Sequence, residues 1–417
     1  MKETGLKILR GVLKILSRLT ISRYRPAVVG ITGSVGKTSA KLAIAAVLSS
    51  VRPVRASAGN FNNELGLPLA ILGDWSEIRG IFFWPRVIIS ALWRIAVKSD
   101  YPEILVLEYG VDRPSDMKYL LQIARPDIAV ITAIGEVPAH VEFFSGPEEV
   151  AREKMKIVES LPVAASAVLN QDDDTVMQAK ERTRARVLTF GFGSGSTVQI
   201  SKFENRAVSG RLASLRSGPA GISFTLGSGG SFVPVEIPGV LGKSQAYAAA
   251  AAASVGGIFG MNLVKICEAL KNYKPAPHRM ALVSGIKQTY IIDDSYNASP
   301  ASVHAALHVL GDLAARRKIA VLGDMLEIGK YAIEAHERVG RVASKIVDAL
   351  FVVGPRAKFI AQAAEASGLN KKNIFIYDTA SDAKEPLKNF VKSGDLILVK
   401  ASHAIGLDKI VESLKAI

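Results

Sequence analysis

Gly30-Ile-Thr-Gly-Ser-Val-Gly-Lys-Thr-Ser39 sets the fold of the chain around it. It follows a short apolar run, Ala27–Thr32, and opens a helical pattern over Lys37–Leu48. Gly33 and Gly36 let the backbone curl so that the N–H groups from Ser34 to Ser39 face an anion at a helix N-terminus. Lys37 is placed to reach β/γ-phosphates, and the Thr38 hydroxyl is placed to meet Mg²⁺. Ile31 stands where the strict phosphate-loop pattern has its first glycine. A glycine-rich turn with an incidental lysine would not need a strand before it and a helix after it, so the stretch predicts ATP binding.

Outward from this loop the chain alternates strand and helix. Ile104–Leu107 and Ile128–Ile134 are apolar runs suited to a parallel sheet buried on both faces, with helical patterns at Pro114–Ile123 and Pro147–Leu161. Residues 186–240 change to short alternating segments punctuated by Gly and Ser, which predicts a β-meander inserted in the sheet or packed beside it. Ala246–Ala253 predicts a helix small enough for close packing, and Tyr273-Lys-Pro-Ala-Pro a linker. Beyond it, strand-like runs at Tyr290–Ile292, Ile319–Leu322, Leu350–Val353, Ile374–Tyr377 and Leu396–Val399 alternate with helical patterns. The fold expected is α/β: a central parallel-sheet ATPase domain with a meander over 26–275, then a Rossmann-like doubly wound domain over 276–417.

Residues 1–25 form a separate element. They carry Lys2, Lys7, Arg10, Lys14, Arg18, Arg23 and Arg25 against Glu3, a large part of the chain's net charge of +14. Leu6–Leu19 is amphipathic, and four charges inside it exclude a membrane span. Two fates fit such a helix: lying on an anionic inner leaflet as a peripheral contact, or packing its greasy side on the next domain. Ile81–Trp93, split by Pro85 and Arg86, is too short to span and reads as a buried helix, although Trp84 and Trp93 would also suit a lipid interface. The positive charge has no zinc-finger spacing, RNP-like motif or Arg/Lys tract to go with it, so nucleic acid is not an expected partner. The lone Cys267 excludes an internal disulfide, suits a reducing cytoplasm, and reads as a small buried side chain on a helix around Leu263–Leu270.

Three further residues stand out: Glu108 and His140 near the carboxyl ends of parallel strands, where α/β sheets bind ligands, and Lys154 in the helical pattern that follows. Glu108 ends a strand ahead of Gly110 and suits a Mg²⁺ ligand shared with phosphate oxygens. His140 and Lys154 taken alone are weak signals, since such residues more often serve structure or solvation.

Thr32-Gly-Ser-Val-Gly-Lys-Thr-Ser39, Glu108-Tyr-Gly, Ala139-His-Val-Glu-Phe-Phe and Ala151-Arg-Glu-Lys-Met-Lys-Ile together resemble the Mur ligase family. Gly59-Asn-Phe-Asn-Asn-Glu-Leu-Gly-Leu-Pro-Leu69, Asp293-Asp-Ser-Tyr-Asn-Ala-Ser-Pro300 and Val321–Gly329 with His336 resemble its members that add D-alanyl-D-alanine. The resemblance runs from about residue 27 to the C-terminus. It implies Mg²⁺ on Thr38, Glu108 and His140, with Lys154 carrying a carbamate beside the metal; Lys156 is the competing lysine. It implies Lys37, His140 and Lys154 as the catalytic set, and Asn297 and Arg279 at ATP with Gly33, Ser34, Gly36, Lys37, Thr38 and Ser39. Asn60, Asn62, Asn63, Asp294, Tyr296 and Lys400 are implied at the substrates.

The implied reaction is ATP-driven amide formation through an acyl phosphate, joining D-Ala-D-Ala to a nucleotide-linked muramoyl peptide. Departures qualify the acceptor end. About thirty residues precede the phosphate loop, where the family commonly has a uridine-nucleotide-binding domain of roughly a hundred. Ser244 and Ala248 stand where His and Asn are usual, and Ala401-Ser402-His403 replaces Gly-Ser-Arg. Two other readings follow: a related ligase working on a different or lipid-linked acceptor at the membrane, and a nucleotide-dependent binding protein with a decayed site.

Overall fold

The computed structural model describes residues 3–416 apart from 58, 60, 76, 98 and 207–219. Helix α1 (Glu3–Tyr24) leads to β1 (Ala27–Thr32), the phosphate loop and α2 (Lys37–Leu48). There follow β2 (Val54–Ala56), α3 (Gly66–Leu72), α4 (Phe83–Ala96), β3 (Ile104–Glu108), α5 (Asp116–Ile123) and β4 (Ile128–Ile131). Then come α6 (Pro147–Glu159), β5 (Ser166–Asn170), α7 (Asp174–Met177), β6 (Arg186–Gly191), β7 (Val198–Arg206), β8 (Gly221–Ser228), β9 (Ser231–Pro238), α8 (Lys243–Ile258) and α9 (Leu263–Leu270). All nine strands join one sheet in the order β2-β3-β1-β4-β5-β6-β7-β8-β9. β2 to β6 run parallel, β7 joins β6 by a short parallel pairing, and β7–β9 are antiparallel. The meander is therefore the continued edge of the main sheet. The strand expected over Ile128–Ile134 stops at Ile131, because the chain turns there to support the phosphate loop: Ser34 and Val35 N–H both donate to the Ala133 carbonyl.

Both faces of the sheet are covered, which is why its central strands are continuous apolar runs. One face packs α2, α8 and α9 and the other α3, α5, α6 and α7. The alanines of α8 are buried against α2, and a Cβ on Gly256 would come within 3.0 Å of Val47 and Ile266. Cys267 is buried on α9, where desolvation pushes its thiol up to about 11.

The second sheet is built from β10 (Ala281–Gly285), β11 (Thr289–Asp293), α10 (Pro300–Asp312), β12 (Arg317–Gly323), α11 (Ala332–Ala343) and β13 (Ala349–Val353). It is completed by α12 (Lys358–Ala366), β14 (Ile374–Tyr377), α13 (Ala380–Phe390), β15 (Asp395–Lys400) and α14 (Asp408–Leu414). Its order is β10-β11-β15-β12-β13-β14, parallel except for the edge strand β10. α10, α11 and α12 cover one face, α13 and α14 the other, as a doubly wound fold requires. Val141, Val150 and Leu241 from the first half share the apolar cluster of α10–α12, so the two sheets are packed together.

The N-terminal helix packs on its neighbours. Leu9, Leu13 and Leu16 are buried with Leu69 and Leu72 of α3 and Phe83, Val87 and Ala91 of α4. The expectation that Ile81–Trp93 is a buried helix is corrected: α4 buries only Phe83, Val87 and Ala91, while Phe82, Ile89, Leu92 and Trp93 face outward. An apolar run with few charges masks its own periodicity, and the side turned to α1 and α3 is only one of its faces. Among the described residues, no helix is long and apolar enough to cross a membrane.

Candidate active site

The site forms where the phosphate loop, the carboxyl end of β3 and the middle of α6 meet the carboxyl ends of β11 and β15 in the second sheet. Gly33 has φ +146° and Gly36 φ +89°, conformations that favour glycine. A Cβ on Gly33 would lie 2.2 Å from Thr132 Oγ1. Thr132 fixes the loop by donating to the Val35 carbonyl at 2.6 Å. Lys37 Nζ donates to the Gly33 carbonyl at 2.8 Å, and burial lowers its pKa with Arg279 and Lys41, against Glu108 and Asp112. Ser34 Oγ is buried without a hydrogen bond.

Glu108 is the hub. Its carboxylate accepts from Thr38 Oγ1 at 3.2 Å and Asn62 Nδ2 at 3.2 Å, and pairs with the buried Lys41 at 3.3 Å. Burial by itself would raise this carboxyl, but Lys41, Lys37, the Asn62 bond and Arg279 outweigh it and hold it below the usual range. Arg279, from the second half of the chain, donates to Thr38 Oγ1 at 3.3 Å and lies over the Tyr296 ring at 4.1 Å. Tyr296 in turn stacks on His403 at 5.5 Å.

Lys154 is fully buried on α6. Desolvation first, and then Lys37, lower its pKa to about 7 against the opposing pull of Asp112, Asp116 and Glu153. Lys156 is half exposed and paired with Glu153 at 2.5 Å, so only Lys154 has the environment of a neutral amine. His140 contacts two carboxylates rather than Glu108: Nε2 lies 3.3 Å from Asp112 and Nδ1 lies 2.8 Å from Glu327, off a hydrogen-bond axis. Its pKa is lowered by burial, which Asp112 and Glu327 oppose.

On the second sheet, Lys400 is buried, ion-paired with Asp294, and donates to the Asn297 carbonyl at 2.9 Å. Burial raises the Asp294 carboxyl, with Lys400 and Arg279 opposing. Asn63 Oδ1 accepts from Leu65 and Gly66 N–H at 3.2 and 2.9 Å and so braces the turn that leads into α3. Asn60 lies outside the described residues. His336 is interior structure: its Nε2 accepts from Met325 N–H.

A cavity of about 1070 Å³ runs from the phosphate loop to the second sheet, lined by Ser34, Gly36, Ser39, Arg279, Asn297 and Lys400 among others, while Glu108, His140 and Lys154 are not part of its lining. Ala248 lines it too, and beside it Tyr247 donates to Asp172 at 2.8 Å. Residues not singled out by sequence are Lys41, Asp112, Asp172, Tyr247 and Glu327. Lys41 carried a signal, being one turn beyond Lys37 and Thr38 on a helix whose same face is buried. The others are brought in by tertiary contact.

These residues fit a magnesium nucleotide. Among the described residues no group of three or more His, Cys, Asp or Glu could hold a metal ion. Magnesium held by one carboxylate together with phosphate oxygens needs no such group, and Glu108 with the Thr38 hydroxyl supplies that share. The unpartnered Ser34 hydroxyl and the curled loop are matched to phosphate oxygens.

Residues 92–256 match the Mur ligase middle domain and residues 278–403 the Mur ligase glutamate ligase domain. The chain is 30% identical over 404 residues to a UDP-N-acetylmuramoyl-tripeptide–D-alanyl-D-alanine ligase of Bacillus subtilis, covering 96% of this chain and 79% of the relative. It belongs to the Mur ligase family. The ligase of the same designation from Mycobacterium bovis is 32% identical, over 93% of this chain and 73% of its own length. The crystal structure of the MurF ligase from Thermotoga maritima in complex with ADP matches with a TM-score of 0.78 at 28% identity, over 97% of this chain and 83% of that one. The α/β architecture expected from the sequence is thus that of the Mur ligases.

Proposed function

We propose that this Mur ligase forms an amide bond between D-alanyl-D-alanine and the peptide carboxylate of a UDP-linked muramoyl tripeptide, using ATP and Mg²⁺. The observation that carries it is the Glu108 hub, where one buried carboxylate gathers Thr38, Lys41 and Asn62, with Arg279 reaching Thr38 from the other half. Asn62 belongs to the Gly59–Leu69 stretch that resembles the dipeptide-adding members, so the same hub joins phosphate loop to substrate side.

The acceptor carboxylate attacks the γ-phosphorus, giving an acyl phosphate and ADP; the amine of the dipeptide then attacks the acyl carbon and phosphate leaves. Lys37 and Arg279 are positioned to take up charge on the transferring phosphoryl group. Magnesium supplies further neutralisation when bound to Glu108 and Thr38. Lys154 is buried and its pKa is lowered to about 7, which makes available near neutral pH the free amine that reacts with CO₂ to give a carbamate. We assign it that modification, and the neighbouring His140, Asp112 and Glu327 the positioning of the acceptor side. We assign the ion-paired Lys400 and Asp294, which line the cavity, to the side of the C-terminal domain that meets the substrates.

This reading keeps the limits 1–25, 26–275 and 276–417 for the three parts and a cytoplasmic location, which suits a ligase with a single unpaired cysteine. ADP release measured with the UDP-linked tripeptide, across dipeptides and single amino acids, tests it. D-Ala-D-Ala is expected to give the highest rate. Equal or faster turnover with a lone amino acid refutes the dipeptide assignment, and absence of turnover from the chain but not from a dipeptide-adding relative refutes the activity.

A further inference from the structure

Helices α1 and α4 leave an apolar surface that the ligase reaction does not use. They run parallel, since the Tyr24 hydroxyl at the end of α1 donates to the Arg94 carbonyl at the end of α4 at 2.7 Å. They are joined underneath by Leu9, Leu13, Leu16, Phe83, Val87 and Ala91. Their outward sides carry Ile8 (64% exposed) and Ile15 on α1, and Phe82 (76%), Ile89 and Trp93 (66% each) on or beside α4. Ile8, Ile15 and Leu19 are spaced at seven and four, one line along a helix; Phe82, Ile89 and Trp93 repeat that spacing on the other. Val12 and Leu16 turn from the first line, and Trp84, Ile88 and Ile95 from the second, into the cluster that the two helices share with α3. Both stripes therefore lie away from the shared cluster, on the outer side of the helix pair.

The charge around them is predominantly basic. Residues 3–25 hold Lys7, Arg10, Lys14, Arg18, Arg23 and Arg25 against Glu3, and residues 78–97 hold Arg79, Arg86 and Arg94 with no Asp or Glu. The flanking acids Glu64 and Glu77 are paired with Arg10 and Arg79. A second copy of this chain would bring the same basic rim against itself. An anionic bilayer surface instead complements both parts, accepting apolar side chains below its headgroups and basic side chains at them, with Trp93 suited to that boundary.

We propose that α1 and α4 together form a docking face for an anionic lipid bilayer. The face rests on packing that is independent of the proposed reaction. It lies on the elements that carry the 59–66 loop, because Arg10 of α1 pairs with Glu64 at 2.6 Å. Docking therefore holds the Asn62 side of the active site close to the membrane.

Co-sedimentation of the full chain with phosphatidylcholine vesicles, with and without phosphatidylglycerol, tests the proposal. Binding is expected only with phosphatidylglycerol, weakening as salt rises. The variant Ile89→Glu with Trp93→Glu, both at outward positions, should lower the partition coefficient by at least about tenfold. ADP release without vesicles should stay unchanged, which shows the variant folded. No binding of the parent chain to anionic vesicles, or equal binding by the variant, overturns the proposal. A parent dimer that the variant abolishes, with no vesicle binding, would assign the face to a second copy instead.

Discussion

Replacing Lys154 with Met should make the ligase more stable and inactive, and the stability gain should depend on pH in a way that only a buried neutral lysine produces. Lys154 is held near a pKa of about 7 in the folded chain, against an ordinary value of 10.5 when unfolded. Between these values the unfolded chain binds a proton that the folded chain does not, so folding stability rises with pH across that window. The penalty relative to an unshifted lysine is about 4 kcal/mol at pH 7 and falls to about 2 kcal/mol at pH 9; below pH 7 both states hold the proton and it no longer changes. Met fills the same space without a titrating group, which isolates the term. Urea unfolding of both proteins at pH 7, 8 and 9 in CO₂-free buffer, without nucleotide, measures it. The advantage of Lys154→Met should shrink by roughly 2 kcal/mol from pH 7 to pH 9. Added bicarbonate should stabilise only the parent, because a carbamate can form only on the lysine. A difference that stays constant over this range would refute the reasoning: Lys154 would then be a charged lysine satisfied by Asp112, Asp116 or Glu153.

Two other substitutions probe the hub and the loop. Lys41→Ala leaves Glu108 buried without its nearest cation and should cost about 3 to 5 kcal/mol in metal-free protein. Part of that loss should return on adding Mg²⁺ with ADP, read as a larger rise in melting temperature than the parent shows. Gly33→Ala puts a methyl group 2.2 Å from Thr132 Oγ1 and should abolish ADP binding by calorimetry. An intact loop at full affinity would show that the curl at Gly33 is not needed.

How much of this was legible in the sequence follows from the range of each contact. The phosphate loop and the helix over Lys37–Leu48 are local, with glycines and a helix start in one short stretch, and the helix has those bounds. The strands of the second sheet are apolar runs that stay apolar because helices cover both faces. By contrast, Glu327 meets His140 from nearly two hundred residues away along the chain, and no spacing rule connects them. Asn63 is implied at the substrates by its motif, and what the motif does not show is that its side-chain oxygen also braces the turn into α3. The amphipathic α1 fitted two fates because a greasy stripe does not say what it faces. Its wheel is divided, with Leu13 buried and Ile8 outward.

That division changes how the N-terminal helix can be studied. Leu9, Leu13 and Leu16 roof over Leu69 and Leu72 of α3, the helix that directly follows the Asn62–Asn63 loop. Cutting off the first 25 residues would therefore do two things at once: wet a greasy floor beneath a substrate loop and erase the outward stripe. A deletion that lost activity would be uninformative about location, since a collapsed floor and a missing anchor give the same blank assay. Only substitutions confined to the outer half of the wheel keep the roof in place while changing what lies above it.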